Sequence, residues 1–453
     1  MDIKFQMRVI QMKQLKMKDN QYRSKSEFGE VQAVVNCIVD KTLEQMERKG
    51  IFVFPKLIKN SEDLTKDQMI LQSFNDMYIS GNVIGFLGVG KQQIVIESRF
   101  SKGENDYFCQ YLLEKVLNFP NYINLETNAN QNDKLFNLLL ILFPRYLQEA
   151  MRKGIFKSYI SKQYNDNNAR GIINVDRHIR ENTPFVGNVA YSQREYTYDN
   201  YLVELIRHTV EFIKSKSFGR TILNSVKEEV QQVVKATPNY RVGDRGKIIN
   251  ENRKRTIRHA YYHEYRALQQ LCILILRNEK HQYGNGTSNV YGILFDAAWL
   301  WEEYMNMLLH DEFYHPQNKA RDGAQYLFEH KNGLIYPDFI GKNNEYRIIA
   351  DAKYKPTNNI KNKDYLQVLA YMFRFDAKQG YYLYPEVDDM DAIQLRMNRG
   401  MTYEKNVTPR DDIFIVKCGL QIPENVKDYT DFVEKMKQNE DAFKKKIFKN
   451  LLR

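Results

Sequence analysis

The apolar positions recur at helical spacing through most of the chain, and short strand-like stretches interrupt them. Apolar residues three and four positions apart predict helices over residues 31–49, 107–117, 135–151, 199–213, 221–236 and 261–281. Apolar runs bounded by turn residues predict strands at 169–175 and 380–385 and a β-hairpin over 85–100. This mixture favours an α/β (α+β) fold.

The turn-forming segment 285–289, Asn-Gly-Thr-Ser-Asn, marks a boundary between two parts of the chain. We therefore predict an N-terminal region of mixed α/β structure over 1–198 and a helical connector over 199–285. The remaining segment, 286–453, is expected to form a domain with a central mixed sheet flanked by helices.

One segment of that last domain carries charged residues in a hairpin pattern. Residues 336–340 and 348–355 read as two strands, and the connecting turn contains Asn343 and Asn344. Suppose the turn centres on these two asparagines. Ile340 would then pair with Arg347, and Asp338 would lie opposite Ile349.

Because side chains alternate faces along a strand, Asp338, Asp351 and Lys353 are predicted to share one face. The two aspartates would be diagonal neighbours, roughly 7–8 Å apart. Carboxylates at that separation can converge on one hard divalent ion such as Mg²⁺. Such an ion promotes phosphodiester hydrolysis, and the lysine can orient or deprotonate the attacking water.

The spacing Pro-Asp-x12-Asp-x-Lys resembles the PD-(D/E)xK signature of nucleases. A single Asp-x-Lys triplet is weak evidence, and the alternative is a surface hairpin with ordinary charges. Pro337 before Asp338, the apolar strand before Asp351 and the helix that follows the hairpin favour the nuclease site.

A predicted helix that begins near residue 295 carries an acidic residue on its apolar face. Glu302 shares its stripe with Ala298, Met305 and Leu309, so its carboxylate points inward and needs a partner. A metal ion or Lys353 would serve, and a buried ion pair with an arginine is the alternative.

The segment 363–375 predicts another helix, with Leu366, Leu369, Ala370 and Phe373 as its core face. Gln367 and Tyr371 lie on a polar stripe together with Asp364 and Arg374. This stripe can lie along the cleft and bind phosphate or water, or it can simply be solvated.

A P-loop pattern also occurs, but its context is wrong. Gly85, Gly90 and Lys91 match most of the motif, whereas Gln92 stands where Ser or Thr would hold Mg²⁺. A P-loop opens a helix, and here a strand follows. We therefore expect no nucleotide to be bound by this chain.

The net charge of +11 suggests a polyanionic partner, and the basic segment 244–258, predicted as a loop, either neutralises phosphates or is solvated. The four cysteines form no Cys-x-x-Cys pair. The sequence contains no run of 18 apolar residues and no apolar signal core, so we expect a cytoplasmic protein without a membrane span.

Taken together, several motifs resemble the McrC family, the nuclease subunits of McrBC and LlaJI-type restriction systems. The resemblance rests on the segments 300–302, 336–338, 349–355 and 383–385 and on the Gln-x-x-x-Tyr pair at Gln367 and Tyr371. It continues more weakly upstream through 85–100, 135–151, Arg170-Gly171 and Asp199-Asn200.

The resemblance implies a PD-(D/E)xK restriction-endonuclease-like domain in which Asp338, Asp351 and Lys353 are catalytic, assisted by Glu302 and Gln367. The metal ligands would be Asp338, Asp351 and the backbone carbonyl of Ala352, with Mg²⁺ (or Mn²⁺) as cofactor. Tyr371 and Lys355 would support the site.

The resemblance also implies partners. These are DNA, a hexameric McrB-like AAA+ GTPase (or ATPase) docked on the N-terminal region 1–198, and a second copy bound through the nuclease domain. Two other functions stay open from the sequence: a non-catalytic activator of the AAA+ protein, and a stand-alone DNA repair exonuclease.

Overall fold

The computed structural model describes residues 13–49, 51–54, 68–103, 105–116, 131–257, 259–282, 290–316, 325–343, 347–388, 391–400 and 407–449. Parts of the sequence predictions lie outside these ranges, among them Arg258 in the basic segment, Asn344 in the predicted turn and the boundary segment 285–289.

The helices are α1 Gln32–Ile38, α2 Leu43–Arg48, α3 Tyr107–Val116, α4 Gln131–Met151, α5 Val175–Glu181, α6 Tyr201–Lys214, α7 Gly219–Asn224, α8 Lys227–Ala236, α9 Arg245–Lys254, α10 Glu264–Gln282, α11 Ala297–Leu309, α12 Asn362–Arg374 and α13 Tyr429–Lys449. Four predicted helices are confirmed as α3, α4, α6 and α10. The predicted helices over 31–49 and 221–236 are each divided into two.

The strands are β1 Lys13–Lys18, β2 Tyr22–Ser24, β3 Phe52–Phe54, β4 Leu71–Phe74, β5 Met77–Ser80, β6 Val83–Val89, β7 Gln92–Glu97, β8 Ser158–Asp166, β9 Ile172–Ile173, β10 Val189–Thr197, β11 Val290–Asp296, β12 Phe313–Tyr314, β13 Gln325–Phe328, β14 Asn332–Ile335, β15 Phe339–Gly341, β16 Ile348–Ala352, β17 Gln379–Glu386, β18 Ile393–Arg399 and β19 Thr408–Gln421. The mixed α/β fold class is confirmed.

The chain divides into two compact units. Unit 1 contains residues 1–127 together with 287–453, and unit 2 contains 128–286. The predicted break at 285–289 coincides with the end of unit 2. The predicted boundary between 198 and 199, in contrast, falls inside unit 2. The N-terminal residues join the C-terminal segment because β11 pairs along its whole length with β6 and also with β3.

The first sheet of unit 1 has the strand order β1-β7-β6-β11-β3. Its β6–β7 pair is the predicted hairpin over the P-loop-like segment, and Gly90 occupies its turn at φ 58°. Gly85 lies where β6 crosses β11, and a Cβ there would meet the Ile293 carbonyl. The glycines of that motif therefore shape the sheet, and strand β7, not a helix, directly follows Lys91.

The second large sheet of unit 1 has the order β12-β15-β16-β17-β19-β18. The strands β16, β17 and β19 are parallel, and β15 and β18 are antiparallel to their neighbours. Helices α11 and α12 pack against β16, and the buried Trp301 indole donates to the Leu383 carbonyl at 3.0 Å. This is the predicted central mixed sheet flanked by helices.

Strand β11 of the first sheet runs directly into α11, which packs on the second sheet. Asp296 ends the strand and caps the helix, because its carboxylate accepts the N–H groups of Ala298 and Trp299 at 3.0 and 3.1 Å. The two sheets of unit 1 are thus connected through one short, capped transition.

Unit 2 is built mainly from α4 and α6–α10, with the long antiparallel pair β8–β10 and the short β9. The basic segment predicted as a loop is helix α9. The loop prediction is wrong because, among the charged residues, the helix has a side that packs inward. Ile248 and Ile249 are buried there, and Asn252 donates to the Tyr201 carbonyl at 2.7 Å.

Candidate active site

The charged hairpin exists, but its register differs from the predicted one. Ile340 pairs with Ile349, not Arg347, and Phe339 pairs with Ala350. Asp338 lies one residue before the paired part of β15, and the same register extended to it would place it opposite Asp351 instead of diagonal to it. The partner of Ile340 thus lies two residues further along the second strand than predicted. The shift is even, so the predicted common face of Asp338 and Asp351 is unchanged.

Asp351 lies near the end of β16 and Asp338 just before β15, and their exposure differs. Asp351 is 2% exposed, whereas Asp338 is half-buried. Asp338 Oδ2 accepts the Ala352 N–H at 2.9 Å, which fixes this carboxylate against the end of β16. Both carboxylates, one of them deeply buried, thus lie where β16 ends in the second sheet.

Lys353, Gln367 and Tyr371 form a connected polar chain that starts at Asp351. Lys353 Nζ lies 2.8 Å from Asp351 Oδ2 and donates to Gln367 Oε1 at 3.1 Å. Gln367 Nε2 in turn donates to the Tyr371 hydroxyl at 2.8 Å. Burial, followed by the nearby Asp351 charge, raises the pKa of Tyr371, so this phenol stays protonated.

Helix α12 faces the sheet with a different side from the predicted core face. Phe373 is 88% exposed and Leu366 is also exposed, whereas Val368, Tyr371 and Met372 are buried. The prediction is wrong because the polar stripe has partners in the segment that follows β16, where Lys353 binds Gln367 and Lys355 binds Asp364. In addition, Val368 and Met372 pack over Gly380, where a Cβ would collide with both side chains.

Glu302 is buried, as predicted, but its partner is a residue that the sequence analysis missed. His315 Nε2 lies 3.7 Å from Glu302 Oε1, and Nδ1 lies 2.8 Å from the Asp338 carbonyl. A carbonyl oxygen only accepts, so Nδ1 carries a hydrogen. The His315 ring also stacks on Phe339. It therefore bridges α11 to the aspartate hairpin; a lone histidine in the sequence gave no signal for this role.

Tyr382 is a second residue that the sequence did not single out. It pairs with Asp351 across the parallel strands β16 and β17, so the two side chains are neighbours on one face. Burial, followed by the Asp351 charge, raises its pKa. Tyr382 thus places an uncharged phenol beside the buried carboxylate of Asp351.

Lys355 is placed in an ion pair at the start of α12. Its Nζ lies 2.7 Å from both carboxylate oxygens of Asp364. Burial alone raises the pKa of Asp364, but the hydrogen bonds from Lys355 Nζ and the Lys361 N–H outweigh it, and the pKa lies below its usual value. Lys355 thus ties the hairpin to the helix that carries Gln367.

Because the pKa of Asp364 is lowered in the folded protein, its contribution to stability should depend on pH. Asp364→Asn should lower the free energy of unfolding by about 1 kcal/mol near neutral pH. The difference should persist above the unfolded pKa of about 3.9 and vanish as the pH falls through the lower folded pKa. Urea unfolding of both proteins over this pH range measures it. A difference independent of pH would contradict the assignment.

A divalent cation is implied by the resemblance, and the donors are of the right kind. Asp338, Asp351 and the Ala352 carbonyl offer only oxygen atoms, which Mg²⁺ and Mn²⁺ prefer. Within the described ranges, no group of three or more His, Cys, Asp or Glu side chains is placed to hold a metal. A bound ion would therefore take the remainder of its shell from water and substrate.

A family model described as "McrBC 5-methylcytosine restriction system component" matches residues 79–385, more than half of the chain. The chain therefore belongs to this family, which confirms the resemblance at family level. A comparison with curated proteins gives no match.

Two solved structures are similar to the chain. One is a refined half-complex from a tetradecameric assembly of Thermococcus gammatolerans McrB AAA+ hexamers with bound McrC; it is 16% identical, with 94% of this chain and 99% of that chain covered and a TM-score of 0.46. The other is the cryo-EM structure of the T. gammatolerans McrBC complex, at 16% identity, with 66% of this chain and 87% of that chain covered and a TM-score of 0.28.

None of the described helices is both long and apolar enough to cross a membrane.

Proposed function

We propose that this chain is the McrC-type subunit of its restriction system, a Mg²⁺-dependent DNA endonuclease that acts with an AAA+ NTPase. The observation that carries the proposal is the meeting of Asp338, Asp351 and Lys353 at one end of the second sheet. Membership in the restriction family supports DNA as the substrate. We propose the cytoplasm as its location.

Asp338, Asp351 and the Ala352 carbonyl are the residues that would hold the cation. When bound, such an ion neutralises phosphate oxygens and makes water more acidic. The proposal fits their position, since Asp351 is buried beside Tyr382 and Asp338 is fixed by the Ala352 N–H.

The other residues act on the substrate and the attacking water. Lys353 is oriented by Asp351 and Gln367, so its ammonium group can position the water and offset the negative charge of the transition state. Tyr371 remains a neutral phenol and holds the amide of Gln367. Glu302 acts through His315, which contacts the backbone at Asp338 and keeps it in place.

We further propose that unit 2 docks the AAA+ partner through an apolar patch. The patch consists of exposed side chains of β9, α5 and the segment that follows them, namely Ile172, Ile173, Val175, Ile179, Phe185 and Val186. Exposed apolar side chains concentrated in one short segment of the chain favour a protein interface. The patch lies within the region 1–198 expected to contact the partner. Self-association through 286–453 stays a prediction.

Ile179→Asp tests this docking surface. The side chain is exposed, so the substitution should leave folding intact, but it puts a charge into the proposed interface. We expect the stimulation of the partner's NTPase to require at least roughly tenfold more of this chain. Val242→Asp is the matched control, because Val242 is also an exposed apolar residue of unit 2 and lies outside the patch. Equal stimulation by both variants would contradict the docking surface.

Reconstitution tests the function as a whole. The purified chain is incubated with DNA and Mg²⁺, alone or with the AAA+ protein encoded beside it and GTP or ATP. Cleavage only in the presence of partner and nucleotide is the expected result. Stimulated NTPase without any cleavage would replace the proposal with a non-catalytic activator, and processive degradation by the lone chain would replace it with a repair exonuclease.

A further inference from the structure

The β8–β10 ribbon of unit 2 has two faces of different chemistry. Its strands pair antiparallel with Tyr196 opposite Tyr159 and Arg194 opposite Ser161. These four side chains share one face with Gln163 and Ser192. Along 158–166 and 189–197, all of which the structure describes, the ribbon itself contributes no carboxylate to this face. At the end away from the tyrosines, Ala190 is buried and Asn165 donates to Glu181 of α5 at 3.2 Å.

The carboxylates of the ribbon lie on its other face, where they already have partners. Glu195 accepts a hydrogen bond from the Tyr164 hydroxyl and lies 3.0 Å from Lys162 Nζ. Asp166 accepts from the Tyr191 hydroxyl at 3.1 Å. The acidic groups of the ribbon itself are therefore kept away from the tyrosine end of the outward face.

Tyrosine rings and cations are interleaved on the outward face. Tyr159 and Tyr196 are 62% and 52% exposed, and their ring centroids lie 4.9 Å apart. Arg194 lies over the Tyr159 ring at 5.3 Å. Lys157 lies over Tyr196 at 5.1 Å and over the exposed Tyr198 at 4.6 Å. Within the described part of the chain, neither Lys157 nor Arg194 forms an ion pair with a carboxylate.

We propose that this outward face binds an unpaired stretch of nucleic acid, with bases stacked on Tyr159 and Tyr196 and phosphates bound by Lys157 and Arg194. Exposed aromatic rings beside unneutralised cations are the combination that binds single strands. The rings can reach the flat face of a base only where the base is not stacked within a duplex. Charge complementarity therefore favours a single-stranded polyanion.

The tyrosine end of the ribbon face lies apart from the apolar docking patch. The patch residue Ile172 pairs with Ser192 and therefore lies on the same face, four residues along β10 from Tyr196. At about 3.3 Å per residue these positions are separated by roughly 13 Å. The inference concerns binding and does not depend on the cleavage site in unit 1.

Fluorescence anisotropy with a labelled oligothymidylate of roughly 16 nucleotides tests the inference on the full chain. EDTA in the buffer prevents cleavage. We expect Tyr196→Ala to raise the dissociation constant about tenfold and Tyr196→Phe to restore it, since the ring carries the interaction. Lys157→Gln should reduce the slope of log affinity against log salt by about 0.7.

Tyr22→Ala, at an equally exposed tyrosine of unit 1, is the control and should bind as the unchanged chain does. Circular dichroism and thermal melting confirm that each variant is folded. Unchanged binding by folded Tyr196→Ala would overturn the inference. So would loss of partner NTPase stimulation at unchanged oligonucleotide affinity, because the face would then be a protein interface.

Discussion

Asp351→Asn should reduce DNA cleavage by the reconstituted complex by two to three orders of magnitude, on the order expected for loss of a group that stabilises transition-state charge. The amide keeps the volume of the buried side chain but removes the charge that faces Lys353. The proposed docking patch is in unit 2, so stimulation of the partner's NTPase should be unchanged. Plasmid cleavage and nucleotide hydrolysis are measured on the same samples.

Asp411→Asn provides the matched control. Asp411 is an exposed aspartate on β19 whose ion pair with Arg396 lies at the surface. This variant should cleave as the unchanged chain does. Full cleavage by Asp351→Asn would contradict the site, and loss of NTPase stimulation as well would point to misfolding.

Lys353→Gln has the second large effect that we expect. The substitution removes the ammonium group that Asp351 and Gln367 orient, and cleavage should fall roughly 10²- to 10⁴-fold if the lysine orients or deprotonates the attacking water. Lys353→Arg should recover only part of this loss. The arginine keeps the charge, but its guanidinium group does not act as a base.

The control for this pair of variants is Lys235→Gln, at an exposed lysine of α8. It should leave the cleavage rate unchanged. If Lys353→Gln cleaves as fast as this control, the lysine has only a structural role in the hairpin. Equal rates for Lys353→Arg and the unchanged chain would show that its charge alone is sufficient.

The sequence predicted the elements of the site well because each rests on a local rule. Alternation along the strand predicted the common face of Asp338 and Asp351, and an apolar stripe predicted the burial of Glu302. The register could not be read from the turn composition, since two asparagines permit a tight turn without requiring one. Ile340 pairs with Ile349, two residues beyond the predicted partner Arg347.

The failures concern features that only tertiary contacts decide. Helix α12 turned its apolar stripe outward because Gln367 and Asp364 bind lysines of the β16 segment and Gly380 admits Val368. His315 was missed because a single histidine has no pattern. The segment 285–289 marked the end of unit 2, but the joining of the N-terminal residues to the last segment was not visible, since the pairing of β11 with β6 joins residues about 200 positions apart.

Binding of Mn²⁺ tests the central claim most directly. Electron paramagnetic resonance reports free Mn²⁺ while the chain is added in the presence of a short DNA duplex. We expect the unchanged chain to bind Mn²⁺ and both Asp338→Asn and Asp351→Asn to lose this binding. If the two variants bind Mn²⁺ as the unchanged chain does, or if none of the three binds it, the two aspartates do not form a metal site.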